Sequence, residues 1–208
     1  MKNFFSMDKP LFRILSTLYD LIILNLLTIL CCLPVLTIGA SLTALHFVLI
    51  EIVRGEETYI VRSFFRSFRE NLRQCTLIWS ACLLLCAAGF WLVQSSRESP
   101  FRTVISGCVG LMAIALFLLS LYLFPFVAHF RNTIGQSVRI SAALTSAYLF
   151  RTLGMAAIHI VFAALLWGFI RWTIPLIVLF GLSLPAYFCA LLYHPVLVRL
   201  EKRTDSET

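Results

Sequence analysis

The stretch Cys31–Phe47, "CCLPVLTIGASLTALHF", interrupts what otherwise reads as one long apolar run. It places Pro34, Thr37, Gly39 and Ser41 close together. Pro34 ends a helix, because it has no N–H to donate and its ring clashes with the preceding turn. Thr37 or Ser41 can cap a new helix, and Gly39 allows a tight reversal. The run therefore reads as two membrane helices joined by a hairpin. Exposed backbone at a broken membrane helix is also where ions or substrates bind. Pro34, Thr37 and Gly39 are thus candidate site residues as well as turn residues.

Outward from this hairpin, the rest of the chain has the same apolar character. Of its 208 residues, 60% are hydrophobic and 13% charged, where a soluble domain carries about a quarter charged residues. Six apolar segments recur, at about 14–33, 38–53, 75–95, 103–128, 153–170 and 174–198. The second is short: at about 1.5 Å per residue it reaches roughly 24 Å, against a hydrocarbon core of roughly 30 Å. Charge decides whether it crosses. With six crossings, fourteen Arg and Lys fall on the cytoplasmic side and three (Arg97, Arg102, Arg171) outside, the bias that orients membrane proteins. The expectation is an all-α polytopic membrane helix bundle forming a single domain over 1–208. Its six spans form three hairpin pairs, with cytoplasmic amphipathic helices between the pairs and both termini cytoplasmic. The basic start Met1–Arg13 precedes a run too long for a signal-peptide core and lacks a small-residue cleavage site, so the first span is expected to be retained. The net charge of +7 is accounted for by the cytoplasmic loops, without nucleic acid.

The best-patterned stretch is 58–74, "TYIVRSFFRSFRENLRQ". Arg62, Arg66, Arg69 and Arg73 recur at i, i+4, i+7 and i+11, on one face of a helix. Val61, Phe64, Phe65, Phe68 and Leu72 gather on the other side. This predicts a cytoplasmic amphipathic helix whose apolar face rests in the membrane and whose arginines meet anionic lipid headgroups, or an acidic partner. Further on, Thr133 and Gln136 read as a capping box for a second cytoplasmic helix. Pro125, Pro185 and Pro195 are expected to kink or end their spans, and Gly181 with Pro185 to loosen the last one.

Ionisable groups within spans are the default place to seek function. Asp20 and Glu51 fall at similar depth in the first hairpin, where they can share a proton or meet Arg13 or Arg54. His46 and His159 lie deeper, each alone on its helix; packing is the plain reading of both, and a proton relay the functional one. Seven cysteines lie in or beside apolar segments without a C-x-x-C pair, which fits small apolar packing residues rather than a disulfide framework. Cys82 and Cys86 share a helix face, leaving a metal or redox site as the alternative there. No metal or cofactor is expected. Protease, esterase and P-loop motifs are absent, so no enzyme is expected.

Two stretches together carry a resemblance. "LPVLTIGASLTALHFV" (33–48) and "RGEETYIVRSFFRSFRENLRQCTLIW" (54–79) resemble the YesL family of bacterial integral membrane proteins. The resemblance rests on Pro34, Thr37, Ile38 and Gly39, then Gly55, Glu56 and Glu57, then Phe64, Phe65 and Phe68, and covers about the first ninety residues. It implies a bacterial cytoplasmic-membrane protein without assigned activity, associated with carbohydrate uptake. Two functional readings follow. One is a non-catalytic accessory that contacts lipid or a carbohydrate ABC permease, or another membrane protein, through its arginines. The other is an autonomous small-solute or ion transporter using the Pro34–Gly39 hairpin and the Asp20/Glu51 pair.

Overall fold

A computed structural model of the chain describes residues 10–56, 59–98, 100–130, 133–168 and 173–207. Among the described residues there is no strand. The helices are α1 (Pro10–Cys32), α2 (Ile38–Arg54), α3 (Ile60–Ser95), α4 (Arg102–His129), α5 (Ile134–Ala147), α6 (Leu149–Gly168), α7 (Thr173–Phe180) and α8 (Ser183–Glu207). Four of them (α1 to α4) are long and apolar enough to cross a membrane, and five spans result if α5 and α6, bent by 95°, count as one. The molecule is a membrane helix bundle.

The core forms around α2. Small residues, Gly39, Ala40, Ser41 and Ala44, line its first half and are buried, so neighbouring backbones approach closely. Lipid is as apolar as leucine, so such packing, rather than exclusion from water, holds membrane helices together. Helices α1, α3, α4 and α8 all pack on α2. The main cluster joins Leu24 of α1, Leu49 of α2, Phe64 of α3, Tyr122 of α4, Met155 of α6 and Tyr193 of α8. By contrast, the far half of the α3–α4 hairpin exposes Leu84, Phe90, Trp91, Leu111 and Ile114, a surface at home in hydrocarbon.

Several elements differ from the expectation. The amphipathic stretch is not a separate helix: from Ile60 it runs unbroken into the third span, because no glycine or proline interrupts residues 60–88. Thirty-six residues at about 1.5 Å each give roughly 54 Å, far beyond a hydrocarbon core. Residues 57 and 58 lie outside the described residues. Helix α4 continues through Pro125 and α8 through Pro195; neither proline ends its helix. The last apolar segment instead divides at Gly181–Leu182 into α7 and α8. The break is local: a Cβ on Gly181 would lie 2.6 Å from the Ile177 carbonyl oxygen. Thr133 occupies the cap position of α5, but its hydroxyl makes no capping bond, so the capping box is not formed.

Candidate functional site

The Pro34 hairpin is closed rather than open. Helix α1 ends at Cys32, and Val35–Thr37 form a single 3₁₀ turn. Thr37 does not cap α2 through its side chain. Its hydroxyl lies 2.7 Å from the Cys31 carbonyl and 2.8 Å from that of Pro34, satisfying the carbonyl end of α1 instead. Trp79 Nε1 donates to the Val35 carbonyl at 2.9 Å, fastening the turn to α3. Gly39 is helical and plays no part in reversing the chain. A Cβ there would come within 2.8 Å of the Cys75 oxygen and 2.9 Å of Trp79 Cβ. Its role is to let α2 and α3 touch. The residue that does need glycine's conformational freedom is Gly55, at φ 72°, where N–H groups of Gly55 and Glu56 return to the Ile52 and Glu51 carbonyls and end α2.

The arginine stripe lies on the N-terminal third of α3. Phe64 is fully buried and stacks on Phe68, so this part of the helix is anchored in the protein's own core. Of the expected apolar face, Phe64, Phe68 and Leu72 thus pack on the protein's own core, while Val61 and Phe65 stay exposed; helical period identifies a face but not what covers it. Arg62, Arg66, Arg69 and Arg73 are all exposed. Three of them, with Tyr59, Val61 and Phe65, line an open groove of about 630 Å³. Arg66 also meets Glu70 at 3.3 Å, an exposed pair of the kind that contributes little. On the neighbouring side Arg54 Nη2 donates to His129 Nε2 at 3.1 Å, which joins the ends of α2 and α4 at this pole.

Asp20 and Glu51 are each half-buried. They neighbour Leu21 and Ile50, which belong to the same core cluster. The side chain of Arg13, a possible partner for them, lies outside the described residues.

The two intramembrane histidines converge. His46 of α2 and His159 of α6 line one cavity of about 410 Å³, together with residues of α3, α4 and α8. His46 Nδ1 lies 3.0 Å from the Tyr193 hydroxyl, and His159 Nδ1 lies 3.0 Å from the Met155 carbonyl. Cys189 Sγ approaches that carbonyl at 3.9 Å. The seven cysteines are free, and among the described residues no three His, Cys, Asp or Glu side chains cluster as metal ligands would.

One important residue had no signal in the sequence beyond being polar inside a span. Asn25 of α1 is fully buried. Its Oδ1 accepts from the N–H groups of Leu182 at 2.8 Å and Ser183 at 3.0 Å. Its Nδ2 donates to the Ile177 carbonyl at 2.9 Å. Backbone freed by a break in a membrane helix must be satisfied internally, and Asn25 does this for the α7–α8 break.

No curated protein and no solved structure matches the chain. Residues 21–93, which carry the hairpin, the Gly55 turn and the arginine stripe, match the family described as "Protein of unknown function, DUF624", to which YesL-like proteins belong.

Proposed function

We propose that this is a non-catalytic protein of the bacterial cytoplasmic membrane, crossing six times with both termini cytoplasmic, and serving as an accessory to a carbohydrate uptake system. In this reading the partner is the cytoplasmic surface of a carbohydrate ABC permease, and anionic lipid supports the same contact. The carrying observation is the display of Arg62, Arg66 and Arg69 around Phe65 on a helix locked to the bundle by Phe64. A fixed cationic groove loses little freedom when it binds, and near an anionic surface each arginine contributes about 1 kcal/mol.

The transporter reading has less support. Three hairpin carbonyls, those of Cys31, Pro34 and Val35, already accept from Thr37 or Trp79. The intramembrane cavity is walled mainly by Leu, Phe and Ala, whereas a sugar path needs many polar partners. The test is capture after mild cross-linking in the native membrane, with wild type and an Arg62→Glu/Arg66→Glu/Arg69→Glu variant of matched expression. Recovery of a carbohydrate permease with the wild type, lost in the variant, supports the proposal. Equal recovery with both removes the arginine face from it.

A further inference from the structure

We infer that the cavity between His46 and His159 is a binding site for a small, neutral, mainly apolar molecule bearing a hydroxyl group. The inference stands apart from the arginine face. Its starting point is the hydrogen bonding of the two rings. His159 Nδ1 has two neighbours, the Met155 carbonyl at 3.0 Å and Cys189 Sγ at 3.7 Å. The carbonyl is much the nearer and only accepts, and the weakly donating thiol can turn to the same carbonyl, so Nδ1 carries the proton that goes to Met155. In the neutral imidazole its Nε2 is then an acceptor. Tyr193 is fully buried, and among the described residues its hydroxyl has one partner, His46 Nδ1. A buried hydroxyl hydrogen needs an acceptor, so Tyr193 donates and neutral His46 keeps its proton on Nε2.

The two rings thus offer opposite polarity to one space. His46 supplies a donor and His159 an acceptor, and neither Nε2 has a hydrogen-bond partner among the described residues. A hydroxyl, which both accepts and donates, is complementary to both. The remaining walls fix the other half of the ligand. Phe117, Phe124 and Leu121 are apolar, and no Asp, Glu, Lys or Arg is among the described residues that line the cavity, so an ion entering it would lose its hydration without compensation. A volume of about 410 Å³ lies within the range of small-molecule sites.

The probes are 2-naphthol and naphthalene, which share an apolar body and differ by the hydroxyl. The full chain, labelled with ¹⁵N-histidine and held in lipid nanodiscs, is titrated with each. The wild type alone should show His159 protonated on Nδ1 and His46 on Nε2. 2-Naphthol should shift both Nε2 signals saturably and bind about tenfold more tightly than naphthalene, the effect of one to two net hydrogen bonds. His159→Leu should bring the two affinities together, and Ala186→Leu, which adds carbon atoms to the cavity wall, should weaken both. Equal affinity for the two probes in the wild type, the opposite tautomer at His159, or undiminished preference for 2-naphthol in His159→Leu would each overturn the inference.

Discussion

Asn25→Ala tests how the last span is held together. The substitution removes three hydrogen bonds at once, from Leu182 N–H, Ser183 N–H and to the Ile177 carbonyl. The carbonyl keeps another partner, since Gly181 N–H donates to it at 2.9 Å. The two N–H groups are in a different position, because Asn25 is the acceptor that each has in this structure. Side-chain hydrogen bonds in membrane bundles average about 0.6 kcal/mol each, so three bonds set a floor of about 2 kcal/mol. Orphaned buried donors cost roughly 1–3 kcal/mol apiece, so the two N–H groups put the expected loss at about 2–6 kcal/mol. The assay is denaturation in detergent micelles, combined with amide exchange at Leu182 and Ser183. Exchange there should accelerate by about 30-fold or more, at 1.4 kcal/mol per tenfold. Thr28→Val is the control: Thr28 is equally buried on α1, but bonds only within its own helix, at the Leu24 carbonyl. If Asn25→Ala is as mild as Thr28→Val and leaves both amides protected, the pin across the break has no energetic importance.

Gly39→Ala should destabilise by about 1–3 kcal/mol, since its Cβ meets fixed atoms of Cys75 and Trp79. Gly107→Ala, with nothing within 4 Å, should be neutral or stabilising by up to about 1 kcal/mol; thermal midpoints of the two variants compare them directly. Phe64→Ala should cost about 3–5 kcal/mol, while Phe65→Ala, 40% exposed, should cost under about 1 kcal/mol. Equal losses in denaturation would mean that the arginine-bearing segment is not anchored as described. Glu70→Gln should change stability by less than about 0.5 kcal/mol, because its pair with Arg66 is exposed; a larger loss at low salt would contradict that.

Much of the bundle was legible in the sequence, for identifiable reasons. Pro34 cannot continue a helix, so the first hairpin was fixed by covalent geometry. The limits of α4 and the end of α3 follow from unbroken apolar runs bounded by Ser, Arg and His. The arginine stripe was legible as a period, and its exposure followed. The burial of Phe64 was not, because periodicity is blind to whether lipid or protein covers a face. The joining of the arginine-bearing segment to the third apolar run turned on the absence of a breaker between them. Gly39 was read as a turn residue when its effect is exerted on a helix that begins twenty-one residues later, at Ile60. Asn25 and the meeting of His46 with His159 depend on helices more than a hundred residues apart in the chain, a distance over which a single sequence carries no pattern.

What touches the arginine groove in the native membrane decides whether this protein is an accessory to a permease. A photo-cross-linking residue at position 65, inside the groove, is compared with one at position 90, which is exposed at the far end of α3. A protein adduct with a carbohydrate permease's cytoplasmic surface is expected at position 65, and lipid alone at position 90. Lipid alone at both positions, or the same protein at both, would contradict the accessory reading.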